Sequence, residues 1–214
     1  MRVVYLHGFA SSAQSSKAKF FRDRLGALGI EVVTPDFNEP DFSTLTITRM
    51  LAQVGAELDK SPEPVALIGS SLGAFVAVNA AAQERARVDR VILLAPALDF
   101  GGNRMRDLGD RGLEEWQRTD MLQVFHYGYG RLVPVHYELY SDATKYDAFN
   151  AMVEQPVLIF QGTRDTSVDP ATVERWAAAR SNVELHLLDD DHQLLSSLEV
   201  IWAGSARFLG VAAP

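Results

Sequence analysis

Short apolar runs recur along the chain, and each is stopped by a residue that breaks regular structure. Val3–Leu6 halts at His7-Gly8, Glu31–Thr34 at Pro35, Val65–Ile68 at Gly69 and Arg90–Leu94 at Ala95-Pro96. Val157–Phe160, which ends at Gly162, and Val183–Leu188 complete the set. Runs this short and this apolar predict strands buried on both faces of a parallel sheet. The intervening stretches repeat their apolar residues at helical spacing. Ala18, Phe21, Leu25 and Leu28 share one face ahead of Gly29, a C-cap glycine. Leu45–Leu58 is amphipathic through Ile47, Met50, Leu51, Val54 and Leu58, with Ser43 or Thr44 as the expected N-cap. Further helices are predicted from Leu72 to about Glu84, over Pro170–Arg180 and over Leu194–Leu209. Strands alternating with helices give an α/β chain: a doubly wound, mostly parallel sheet of about six strands.

Residues 99–154 break that rhythm. A polar segment opening at Gly101-Gly102-Asn103-Arg104 precedes a helix near Leu113–Gln117. Leu122–Tyr127 and Val133–Tyr140 then alternate as the arms of a β-hairpin around Gly128-Tyr129-Gly130-Arg131. An insertion after the fourth strand falls at the carboxyl edge of the sheet, where ligands bind in such folds. We therefore expect residues 1–214 to form one domain with a small cap at 99–154. The cap aromatics Phe125, Tyr127 and Tyr129 are candidate substrate contacts, and Tyr137 and Tyr140 belong to the same set.

The chain has 214 residues, enough for one core. A net charge of −8 argues against nucleic acid or an anionic membrane as partner. The absence of cysteine excludes disulfides, thiol catalysis and cysteine metal sites. The five histidines lack metal-ligand spacing, so neither metal nor cofactor is expected. The opening residues run directly into a strand and do not read as a secretory signal. No run approaches the roughly 18 apolar residues of a membrane span. The expected location is the cytoplasm.

Chemistry concentrates at Gly69-Ser70-Ser71-Leu72-Gly73. A strand must turn there into a helix with Ser71 at the apex, and the flanking glycines admit a turn that projects the hydroxyl from the sheet. A serine needs a base, and the base an orienting acid. Of the histidines, His186 lies inside a strand, His126 and His136 fall on the hairpin and are expected at the surface, and His7 suits loop building. His192, just past strand six, shares the carboxyl edge with Ser71. On the loop after strand five, Asp169 precedes Pro170 and reads as a helix cap, which leaves Asp165 as the acid. Asp189–Asp191 reads as a solvated acidic turn. Backbone N–H groups of Leu72 and Phe9 would form an oxyanion hole if strands one and three are neighbours.

Leu6-His7-Gly8-Phe9, the Ser71 elbow, Gly162-Thr163-Arg164-Asp165 and Asp191-His192 stand in the order and spacing of the α/β-hydrolase superfamily, which the chain resembles. The Tyr-Leu-His-Gly-Phe opening and the Ile-Gly-Ser-Ser-Leu-Gly elbow are similar to those of YqiA-type small bacterial esterases and related acyl thioesterases. The resemblance implies an α/β-hydrolase fold and a serine hydrolase acting on a small-molecule acyl ester. An acyl thioesterase with the same triad is the alternative; Arg104, Arg106 and Arg111 read first as solvated arginines, and under that alternative are candidates to meet a phosphate-bearing carrier. A binding module that keeps the fold without catalysis is the rival from another class.

Overall fold

The computed structural model describes residues 1–100 and 108–211. Six strands, β1 (Arg2–Leu6), β2 (Glu31–Val33), β3 (Val65–Ser70), β4 (Val88–Leu94), β7 (Val157–Gly162) and β8 (Val183–Leu188), form one parallel sheet in the order β2-β1-β3-β4-β7-β8. Side-chain alternation explains why all of its central strands are apolar. Val65 and Leu67 of β3 enter the core on one side while Ala66 and Ile68 enter the core on the other. The first side is covered by α2 (Ile47–Asp59), α3 (Leu72–Gln83) and α6 (Pro170–Ala178). The second is covered by α1 (Ser16–Gly26) and α7 (Leu198–Leu209). The chain goes outward from β1 to β2, then crosses to β3 on β1's other flank. This reversal creates a switch point where the loops after β1 and β3 meet, with Leu6 level with Gly69.

Helix ends follow local chemistry. Gly29 has φ +74° and Ile30 N–H returns to the Leu25 carbonyl, closing α1 through a C-terminal glycine as expected. The expected cap at Ser43 or Thr44 is corrected: Thr46 is extended and accepts from Arg49 N–H, so α2 starts at Ile47. Asp41 instead caps a separate 3-10 turn over Phe42–Thr44.

Between β4 and β7 lie α4 (Gly109–Thr119), the antiparallel pair β5 (Met121–His126) and β6 (Arg131–His136), and α5 (Glu138–Ala143). The second hairpin arm is therefore shorter than its alternation predicts, because Leu139 and Ala143 are buried one helical turn apart. The indole of Trp116 on α4 is buried and donates to the Val135 carbonyl at 3.0 Å, tying that helix to the hairpin. Buried Asp142 on α5 accepts from the N–H and hydroxyl of Thr48, each at 2.7 Å, tying the insertion to α2. No helix among the described residues is long and apolar enough to cross a membrane.

Candidate active site

Ser71 joins β3 to α3 with φ 53° and ψ −116°, a conformation that costs an L residue on the order of 1–3 kcal/mol. The surroundings enforce it. Ser71 N–H donates to the Leu94 carbonyl on the neighbouring strand, and the Ser71 carbonyl accepts from Ala74, Phe75 and Ala97 N–H groups. Gly73 is indispensable for the close approach, since a Cβ there would sit 2.1 Å from the Leu6 carbonyl oxygen. The turn thus presses against the end of β1 while its hydroxyl points outward.

His192 reaches this hydroxyl from the loop after β8. Its Nε2 lies 3.1 Å from Ser71 Oγ and its Nδ1 lies 2.8 Å from Asp165 Oδ2. With Nδ1–H donating to the carboxylate, Nε2 is left to accept from the serine. The β7 and β8 loops approach closely because position 162 is glycine; a Cβ there would fall 2.5 Å from the Asp190 carbonyl oxygen.

The Asp165 carboxylate is buried yet fully partnered. Oδ1 accepts from Ser167 and Val168 N–H groups, and Oδ2 accepts from His192 and from Gln161 Nε2 at 3.0 Å. Burial pushes its pKa up, but the hydrogen bonds from His192 and Val168 outweigh burial and hold the carboxyl below its ordinary value. It is the ionised partner that an imidazolium would need.

Gln161 was not legible as part of this cluster. Its signal is one polar residue at the buried end of an apolar run. Asp169 is the helix cap expected of it, accepting from Ala171 N–H. The acidic turn is only partly solvated: Asp189 is exposed and pairs with Arg164, but Asp190 is buried and accepts from Asp191 N–H.

On the opposite side of Ser71 the Gly8 position passes so near that a Cβ there would lie 3.3 Å from the serine Cβ. Phe9 follows, its ring 5.5 Å from that of Phe42. Among the described residues, neither Phe9 N–H nor Leu72 N–H donates to a protein acceptor. Leu72 also opens α3, so the positive end of the helix dipole faces the serine.

The other histidines divide differently from expectation. His7 is buried and its Nε2 accepts from Phe37 N–H, building a loop as predicted. His186 in β8 stacks against Phe160 of the neighbouring β7. His136 is half-buried beside Asp120. His126 is corrected from surface to core: it is fully buried, bonds to Asn38 Oδ1 at 3.1 Å and accepts from Tyr129 N–H. Its burial comes from the 38–42 loop, which the hairpin sequence alone does not reveal.

Of the hairpin aromatics, Phe125 and Tyr127 are exposed and meet edge to face at 5.3 Å. Tyr129 stacks on His126 at 3.8 Å and lines a cavity of about 420 Å³ with Asn38–Ser43, Arg131, Val133 and Pro134. That cavity includes none of Ser71, Asp165 or His192. The hairpin nevertheless touches the site's wall, because Tyr127 N–H donates to the Ala10 carbonyl one residue beyond Phe9. Tyr137 and Tyr140 pack on Trp116. Arg111 is exposed on α4; Arg104 and Arg106, with the polar segment at 101–104, lie outside the described residues.

Similarity to solved structures shows the α/β-hydrolase fold. Est1E from Butyrivibrio proteoclasticus with bound ferulic acid superposes with a TM-score of 0.81 at 18% identity, over 97% of this chain and 87% of that chain. A provisionally named hydrolase from Agrobacterium vitis S4 gives 0.83 at 25% identity, over 96% and 87%. Alpha/beta hydrolase domain-containing protein 10 from mouse gives 0.81 at 19% identity, over 98% and 89%. No protein with a curated description matches by sequence. Residues 2–204 match the model of the Uncharacterised protein family (UPF0227), and the chain belongs to that family.

Proposed function

We propose that the protein is a serine hydrolase cleaving a carboxylic ester through an acyl-enzyme on Ser71. The observation that carries this reading is the hydrogen-bonded line from Ser71 Oγ through the His192 imidazole to the Asp165 carboxylate. Ser71 attacks the ester carbonyl as His192 Nε2 takes its proton, and Asp165 stabilises the imidazolium. The tetrahedral oxyanion receives the Phe9 and Leu72 N–H groups, and losing one such donor typically costs about 3 kcal/mol. His192 then protonates the leaving alcohol. Water, deprotonated by the same nitrogen, releases the acid and restores the serine.

The insertion between β4 and β7 acts as a small cap on this domain, and Tyr127, whose N–H meets the Ala10 carbonyl beside Phe9, is the cap aromatic offered to the acyl group. Turnover of matched oxoesters and thioesters tests the assignment. The expected result is oxoester hydrolysis that disappears in Ser71→Ala. Hydrolysis of thioesters alone would transfer the assignment to the thioesterase alternative, and hydrolysis of neither by folded protein would refute it.

A further inference from the structure

Lys17 is out of place by every local rule. It sits in the first turn of α1, where the helix dipole disfavours a cation, and it is buried. Its ammonium donates to the Gln193 carbonyl at 2.7 Å, one residue beyond His192. The carboxylates facing it come from the two loops that build the site: Asp165 after β7, and Asp191 and Asp190 after β8. The loop itself is stitched together, with Gln193 N–H donating to Asp191 Oδ1 and Asp191 N–H to Asp190 Oδ1. A buried cation survives only where charge and hydrogen bonds compensate its desolvation. Here the compensation is supplied by the neighbourhood of the base.

We propose that Lys17 is a positioning residue for His192, anchoring the base's loop to α1 and offsetting the surrounding carboxylates. This extends the hydrolase reading and rests on it for its catalytic meaning. The consequence is mechanical. The Lys17–Gln193 hydrogen bond fixes the backbone one residue beyond the base, so losing it lets the imidazole drift from Ser71 Oγ and lowers kcat more than it changes KM. Burial pushes the Lys17 ammonium down to about 8, a cost that Asp165, Asp191 and Asp190 partly offset.

The test measures amide hydrogen exchange of the loop after β8, together with kcat and KM on a chromogenic ester, in wild type, Lys17→Met, Lys17→Gln and Lys17→Arg. Met and Gln should speed exchange at residues 190–193 by about tenfold or more and lower kcat with KM nearly unchanged, while Arg keeps both close to wild type. Unchanged exchange and unchanged kcat in a folded Met or Gln variant would overturn the proposal. Exchange reports on the loop whether or not esters are turned over. Failure of hydrolysis would thus count against the proposed reaction and leave the Lys17 result separate.

Discussion

The elbow around Ser71 and the β5–β6 hairpin lie at the same edge of the sheet but are held in different ways. At the elbow the backbone does the work: β3 is buried along its whole length and four main-chain hydrogen bonds converge on Ser71. The hairpin is an amphipathic pair of strands. Leu122, Val124, Val133 and Val135 face inward, while Phe125 and Leu132 stand opposite each other on the solvent side. It is attached at separate points: Trp116 to Val135, His126 to Asn38 and Tyr127 to Ala10. A strained nucleophile needs the first kind of support, because only surroundings that over-determine a conformation can maintain it. Surface that contacts varied substrates is compatible with the second kind.

Substitutions can break this contrast in order of size. Ser71→Ala should lower kcat by about 10⁴-fold or more while thermal unfolding stays near that of wild type. Retained turnover in the purified variant would remove Ser71 from the chemistry. Gly73→Ala should destabilise the fold by about 3 kcal/mol or more, because its new methyl meets the backbone of β1 and not a yielding side chain. A denaturant midpoint equal to wild type would show that the elbow is less constrained than its geometry demands.

In the insertion, Asp142→Ala removes two hydrogen bonds to Thr48 and the Lys145 partner, for an expected loss of about 1–3 kcal/mol. Burial raises the Asp142 carboxyl, but the bonds from Thr48 and Lys145 prevail and hold it low, as their counterparts do for Asp165. Both groups therefore add stability that is complete above the ordinary carboxylate value of about 4 and is lost as pH falls through their depressed values. Acid unfolding curves of Asp142→Ala should be less steep than those of wild type; identical slopes would contradict the assignment. The smallest stability effect belongs to Tyr127→Ala, within about 0.5 kcal/mol, since the ring is 75% exposed. Its signature is kinetic, a higher KM for aromatic or long acyl esters with kcat unchanged. An unchanged KM would leave the exposed ring without a substrate role.

The same contrast explains which parts were legible in sequence. Strands announced themselves because burial on both faces leaves an uninterrupted apolar run, and the elbow because its glycines are fixed by backbone proximity. Asp165 was separable from Asp169 because Pro170 marks the latter as a cap. The partners of these residues were less visible. Lys17 meets Gln193 across 176 positions, and His126 meets Asn38 across 88. Such bonds leave no periodicity in either segment. The second hairpin arm is shorter than its pattern predicts because Tyr137 and Tyr140 continue an alternation whose backbone has already turned helical.

The central claim is that the strained turn and the imidazole behind it make Ser71 nucleophilic. Labelling with a fluorophosphonate, followed by mapping of the modified peptide, reads that property without knowledge of the substrate. A single adduct on Ser71 is predicted, absent in Ser71→Ala and formed far more slowly in folded His192→Ala. Folded wild-type protein that stays unlabelled while a known serine esterase reacts, or an adduct at another serine, would contradict it.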